Sequence, residues 1–149
     1  MKLEWGLTAG NAEGEVDRLL AVSRKAEGGL PLMEAQARAV AQAHSEALRR
    51  TGRIEFGKSA AEKLVEIFAG SPWLTREEQG QQLAELAALF YDCRAELPDS
   101  LPDGWLLEQM RRAFDGPCRG CMELMNDCFL LQLPRHLRQG GRPEDFGWR

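Results

Sequence analysis

Apolar residues recur along this chain at steps of three and four, and the spacing is cleanest between Thr75 and Leu97. Leu83, Leu86, Phe90, Cys93 and Leu97 advance at about 100° per residue onto one stripe of a helix. Thr75 followed by Glu78 predicts a capping box at its start, in which hydroxyl and carboxylate each take a backbone N–H left without a partner. Ala84, Ala88 and Ala95 form a second, small-residue face, and only Glu85, Asp92 and Glu96 mark a wet edge. A helix apolar on most of its circumference belongs in the middle of a bundle.

The same spacing places the other elements around it. Met1 to Gly10 is too broken by glycine to assign and reads as an arm; Asn11 then caps a first helix whose face is Ala12, Val16, Leu19, Leu20, Ser23 and Ala26, stopped at Gly28-Gly29. Met33 to Thr51 predicts a second helix with a small-residue face of Met33, Ala37, Val40, Ala41, His44, Ala47 and Leu48. In Gly52 to Gly57, Ile54 and Phe56 alternate with Arg53 and Glu55; with no second strand to pair with, this is an extended connector whose two apolar side chains plug the bundle's end. Ser59 and Glu62 cap a short third helix bearing Leu64, Ile67 and Phe68. After the central helix, Ser100 with Asp103 caps a fifth, marked by Leu106, Leu107, Met110, Ala113 and Phe114. Gly116-Pro117 separates it from a last helix of about Cys118 to Leu133, stopped by Pro134. The expected fold class is all-α: a single-domain bundle of about six helices over residues 1–138 and a polar tail over 139–149, mobile or pinned by Phe146 and Trp148.

Composition narrows the function classes. The chain has 149 residues, 44% hydrophobic and 28% charged, enough for one self-sufficient core. No apolar run approaches the roughly 20 residues that span a bilayer, and no secretory leader is visible, so a cytoplasmic location without membrane insertion is expected. A net charge of −4 disfavours binding to nucleic acid through phosphate contacts. Four cysteines in that setting are expected to stay reduced.

The order GRIEFG, KLVEIF, SPWL, LAELAALFYDCRAEL and LLEQMRRAFDG, covering roughly Leu30 to Gly116, resembles a family of small, uncharacterised helical proteins of Gram-positive bacteria, classed only as a domain of unknown function. The resemblance implies a helical fold and brings no activity, substrate or catalytic residue with it.

Candidate chemistry lies in four places. Cys118-x-x-Cys121 and Cys128 fall on one side of a helix that starts after Pro117, and His136 completes a conceivable set of thiol or zinc ligands. One continuous helix would spread Cys121 and Cys128 about 10 Å apart along its axis, too far for one tetrahedral ion, so a metal requires a break near Gly120. The ordinary use of Cys93, Cys121 and Cys128 is as small buried hydrophobes. His44 stands on an apolar face with Glu55 as its nearest partner by sequence, although a bond to a backbone carbonyl is the commoner arrangement. Arg49, Arg50 and Arg53 could clamp an anion or an acidic partner, or stand as solvated cations at a helix end. Arg94 beside the apolar stripe needs a carboxylate if it is buried.

The four tryptophans, Trp5, Trp73, Trp105 and Trp148, fall in arms and connectors, and Leu130 and Leu131 lie off the cysteine face of the last helix. Trp73, Trp105, Leu130, Leu131, Phe146 and Trp148 are therefore the expected surface for a protein partner or for homo-oligomer formation. No phosphate-binding glycine loop, His-Glu-x-x-His helix or Gly-x-Ser-x-Gly elbow occurs. The resulting expectation is a protein-binding or self-associating module with an inert interior and no resident cofactor. A small-molecule or metal-binding protein using the cysteines is the alternative.

Overall fold

The computed structural model describes the backbone of residues 2–26 and 28–146, and their side chains from residue 14 onward. The elements are α1 (Lys2–Lys25), α2 (Glu34–Thr51), α3 (Ala60–Phe68), α4 (Gln79–Ala95), α5 (Asp103–Asp115) and α6 (Met122–Asn126). A π-helical stretch, Asp127–Gln132, then leads directly into α7 (Leu133–Arg138), and Pro143–Asp145 forms a 3-10 turn. No strand occurs among the described residues, so the fold is the expected all-α bundle. The central place of α4 is also as expected: it packs mainly on α2 and also meets α3, α5, α6 and the π-helical stretch.

Small side chains set the α2–α4 spacing. A Cβ on Gly80 would stand 2.8 Å from the Gln36 Cβ, so only glycine allows this approach. Gln36 and Gln79 lock the crossing: the Gln79 amide donates to Gln36 Oε1 at 3.2 Å and to the Pro31 carbonyl at 3.3 Å, while Gln36 donates to the Arg76 carbonyl at 2.7 Å. The apolar core includes the fully buried Leu19, Leu64, Phe68, Leu86, Phe90, Met110, Phe114 and Phe129, with Phe68 and Phe114 edge to face at 5.5 Å. Each is worth on the order of 1.5–3 kcal/mol relative to exposure.

Several boundaries differ from expectation for identifiable reasons. The α1 backbone is helical from Lys2, through the glycines that made an arm the expectation; the side chains of Trp5 and Ala12 lie outside the described set. Thr75 does cap, accepting the Glu78 N–H at 3.2 Å, but residues 75–78 are a turn ahead of α4. Ser59 and Glu62 close their capping box as predicted. The predicted Ser100–Asp103 cap does not form: α5 starts at Asp103 after Pro102, and the Asp103 carboxylate turns to arginines instead.

The last helix starts at Met122 and continues through Pro134. A proline has no N–H and crowds the carbonyl four residues back; here it falls two residues after the end of the π-helical stretch, whose wider turn absorbs it.

The connector between α2 and α3 reverses its expected orientation. Ile54 and Phe56 are 75% and 88% exposed, and Arg53 and Glu55 point inward. Gly52 and Gly57, both at φ 72°, turn the chain at its two ends.

Candidate functional site

Glu55 is the acceptor around which this site is built. Its Oε1 lies 2.7 Å from His44 Nε2, and its Oε2 accepts from the Tyr91 hydroxyl at 2.7 Å, Arg53 Nε at 3.1 Å and the Ala60 N–H at 3.4 Å. Four segments meet at one carboxylate: α2 supplies the imidazole, the connector the guanidinium, α3 an N-terminal N–H and α4 the phenol. The connector's extended backbone makes this possible, because alternate side chains of an extended segment leave on opposite sides. Arg53 and Glu55 enter together only if Ile54 and Phe56 leave together.

From Glu55 a line of alternating charges runs through the bundle. On one side His44 carries it to Glu15 on α1, whose carboxylate lies against Nδ1 as an ion pair without hydrogen-bond alignment. On the other side Arg53 Nη2 reaches Asp103 Oδ2 at 2.5 Å, and Asp103 Oδ1 lies 3.9 Å from Arg94 Nε. Arg94 is buried and donates to the carbonyls of Leu101, at 2.7 Å, and Pro98. This is the buried arginine with a carboxylate partner that the sequence left open. The Arg53 guanidinium also lies over the rings of Phe90 and Tyr91, 5.9 and 5.7 Å from their centroids. Glu15, His44 and Arg94 are each at most 7% exposed, so the expected inert interior is corrected: the bundle carries a chain of paired charges.

Burial and pairing act against each other here. Burial alone would make the imidazole easier to deprotonate, but Glu15 and Glu55 overcome it and raise the His44 pKa from 6.5 to about 9. Burial likewise disfavours the Glu55 carboxylate, and His44 and Tyr91 outweigh it, lowering its pKa to about 2. Burial and the neighbouring Glu55 charge both push the Tyr91 phenol upward, so it stays a donor. Near neutral pH His44 is thus an imidazolium with no lone pair to act as a base.

The His44 end of this line borders a cleft of about 670 Å³ between α1, α2, the connector and the start of α3. Glu15, His44, Glu55, Ser59 and Glu62 line its polar floor, Val16, Ala41 and Leu48 give apolar wall, and Arg18, Arg38 and Arg49 also line it. Ser59 and Glu62 satisfy each other, and Arg18 Nε stands 3.5 Å from Glu62. The small-residue face of α2 now has a second effect: alanines leave room beside the histidine.

The residues singled out in the sequence are placed as follows. The three arginines diverge: Arg49 lines the cleft, Arg50 pairs with Asp92 on the surface at 2.9 Å, and Arg53 turns inward. Cys118-x-x-Cys121 is on the turn between α5 and α6, not on a helix. There the N–H groups of Cys118 and Gly120 bond back to Ala113 and Phe114, and Arg119 and Gly120 take positive φ. Cys118 and Cys128 are buried, whereas Cys121 is exposed. His136 bonds to the Arg142 carbonyl at 2.8 Å and packs on Phe146. Among the described residues no three His, Cys, Asp or Glu side chains are grouped to hold a metal ion.

Trp73 is 40% exposed, donates to the Asp115 carbonyl at 3.3 Å and lies against Gly120; Leu131 is 54% exposed. Trp105, Leu130 and Phe146 are half-buried against the core. Trp148 lies outside the described residues.

Glu15 and Tyr91 were not singled out by sequence, and Asp103 only as a helix cap. A signal existed for the first, since Glu15 stands four residues before Leu19 and eight before Ser23, on the buried stripe of α1. A charge on such a stripe calls for a partner.

Comparison with protein families finds one model, described as a family of unknown function (DUF6323), that matches residues 19–143. No curated protein matches, and no solved structure does. Among the described residues no helix is long and apolar enough to cross a membrane.

Proposed function

We propose that this chain, which belongs to the family of unknown function DUF6323, is a binding protein for a small polar molecule held in the cleft beside His44. The observation that carries the reading is the buried Glu15–His44–Glu55 line ending in a cleft of about 670 Å³. Clefts of this size with a few convergent polar groups are the usual form of a small-molecule site. Binding is favoured over base catalysis because the imidazole is protonated on both sides near neutral pH.

The test is a ligand-observed NMR screen of a fragment set containing amines, acids and neutral polar compounds. Hits are mapped with the full chain labelled on Ala and Leu methyls. Shifts confined to Ala41 and Leu48 are expected, with loss of the hits in His44→Phe. A set without hits, or hits that leave those methyls unmoved, would remove the reading.

A second reading is favoured by Ile54 and Phe56, which stand out on the connector at 75% and 88% exposure. Two adjacent large apolar side chains in water are a natural contact for another protein or for a second copy. Sedimentation across a concentration series tests the second copy: self-association abolished by Phe56→Ser supports it, and a monomer at all concentrations removes it.

A further inference from the structure

Three buried carboxylates stand at the floor of the cleft, and the protein satisfies two of them. Glu55 receives hydrogen bonds from His44, Arg53, Tyr91 and Ala60. Glu62 receives the Ser59 N–H and faces Arg18. Glu15 is different. Its side chain is only 9% exposed; its Oε2 pairs with His44 Nδ1, and among the described residues no donor reaches its Oε1. A carboxylate oxygen that lines a cleft with acceptor capacity to spare is open to a donor arriving from outside, and its largely buried setting strengthens the bond.

We propose that the cleft binds its ligand through a protonated amine that donates to the Glu15 carboxylate; this rests on the small-molecule reading above. The apolar wall of Val16, Ala41 and Leu48 accepts the aliphatic part of such a molecule. Anions are the competing class, because Arg18, Arg38 and Arg49 also line the cleft. The side chains of Arg18 and Arg38 are 55% and 49% exposed, and each already faces a carboxylate, Glu62 and Glu34. Solvated charges, these two and the exposed Arg49, add little on binding, whereas a charge-assisted bond to a largely buried acceptor forms where the local dielectric is low.

The experiment is titration calorimetry of the full chain at neutral pH with n-butylamine, n-butanol and butyrate, three probes of equal length that differ in the terminal group. Butylamine is expected to bind about tenfold or more tightly than either of the others. Glu15→Gln, which keeps the shape and removes the charge, is expected to erase that preference. Circular dichroism establishes that the variant is folded; if it is not, Glu15→Asp serves, since withdrawing the carboxylate by one methylene also weakens the amine alone.

Butyrate binding as tightly as butylamine would overturn the assignment to Glu15 and leave the cleft as an anion site. Amine affinity unchanged in the folded variant would overturn it too. Silence from all three probes would overturn the amine proposal, and the fragment screen then decides separately whether the cleft binds anything.

Discussion

Helix α4 presents buried polar groups on two flanks, and their fates differ. On one flank Tyr91 joins His44, Glu55 and Arg53; on another Cys93 donates to the Phe129 carbonyl at 3.1 Å, near the end of the chain that holds Cys118 and Cys128. Residues 91 and 93 are about 200° apart on a helix, so one element borders both clusters. Burial disfavours charge in each. Among the thiols little opposes it: burial raises Cys93 and Cys118 to about 12 and Cys128 above its usual value, and the sulfurs stay neutral hydrophobes. Around His44, two carboxylates more than offset the burial, and the imidazole stays charged. Whether a buried polar group is inert or charged depends on the partners that reach it from other elements.

The comparison breaks most sharply at Glu55. Removing it in Glu55→Ala leaves His44 and Arg53 without the carboxylate they share, and breaking a buried pair in this way costs about 3–5 kcal/mol. Urea denaturation at neutral pH measures it. A loss below about 1 kcal/mol would mean that the freed charges reach water by relaxation, and the contrast with the thiols would fall.

The second effect is in pH. The folded pKa of His44 is about 9 against 6.5 unpaired, so its contribution to stability is complete below pH 6.5 and is lost as pH rises through 9. For Glu55 the sign reverses: a folded pKa of about 2 against 4.5 gives stability present above pH 4.5 and lost as pH falls towards 2. Each displacement is worth about 3 kcal/mol, and because both report largely the same ion pair they are not summed. Denaturation midpoints should therefore peak between pH 4.5 and 6.5, and His44→Gln should flatten the alkaline side. An unchanged alkaline side in that variant would show that another group titrates there.

The thiol cluster should respond less. Cys118→Ala or Cys128→Ala removes one buried atom and should cost about 1 kcal/mol without altering the pH profile. In the native protein a thiol reagent at mildly alkaline pH should label Cys121 quickly and Cys93, Cys118 and Cys128 only on unfolding. Rapid native labelling of Cys118 would mean that burial does not hold its thiol neutral.

Much of this architecture was legible in the sequence because α spacing reports which residues share a face. The stripe Leu83, Leu86, Phe90, Cys93 and Leu97 is buried throughout, and His44 does lie on the buried face of α2 with Glu55 as its partner. What spacing cannot supply is the sense of a two-residue alternation. GRIEFG says that Arg53 pairs with Glu55 and Ile54 with Phe56, but not which pair faces inward; hydrophobicity argues for one sense and the waiting His44 and Tyr91 for the other. Those partners lie 11 and 36 residues from Glu55 and are brought to it only by the fold. The break of the Cys-x-x-Cys segment was hidden for a similar reason. The backward bonds of Cys118 and Gly120 to α5 compete with a helix start at Pro117, and only the packed end of α5 decides between them.

The smallest expected effect tests that alternation directly. Phe56 is one residue from Glu55 and 88% exposed, so Phe56→Ser should change stability by no more than about 0.5 kcal/mol, with the pH profile of the parent retained. Adjacent substitutions in one connector would then differ by several kcal/mol, with the apolar residue the dispensable one. Ile54→Ser, at 75% exposure, should behave like Phe56→Ser. A loss of about 2 kcal/mol or more on either would mean that the apolar pair is buried in solution. That would require Arg53 and Glu55 to face water and leave His44 with Glu15 as its remaining carboxylate. The alkaline loss of stability would shrink with it, so the urea and pH experiments on Ile54→Ser and Phe56→Ser together distinguish the two senses of the connector.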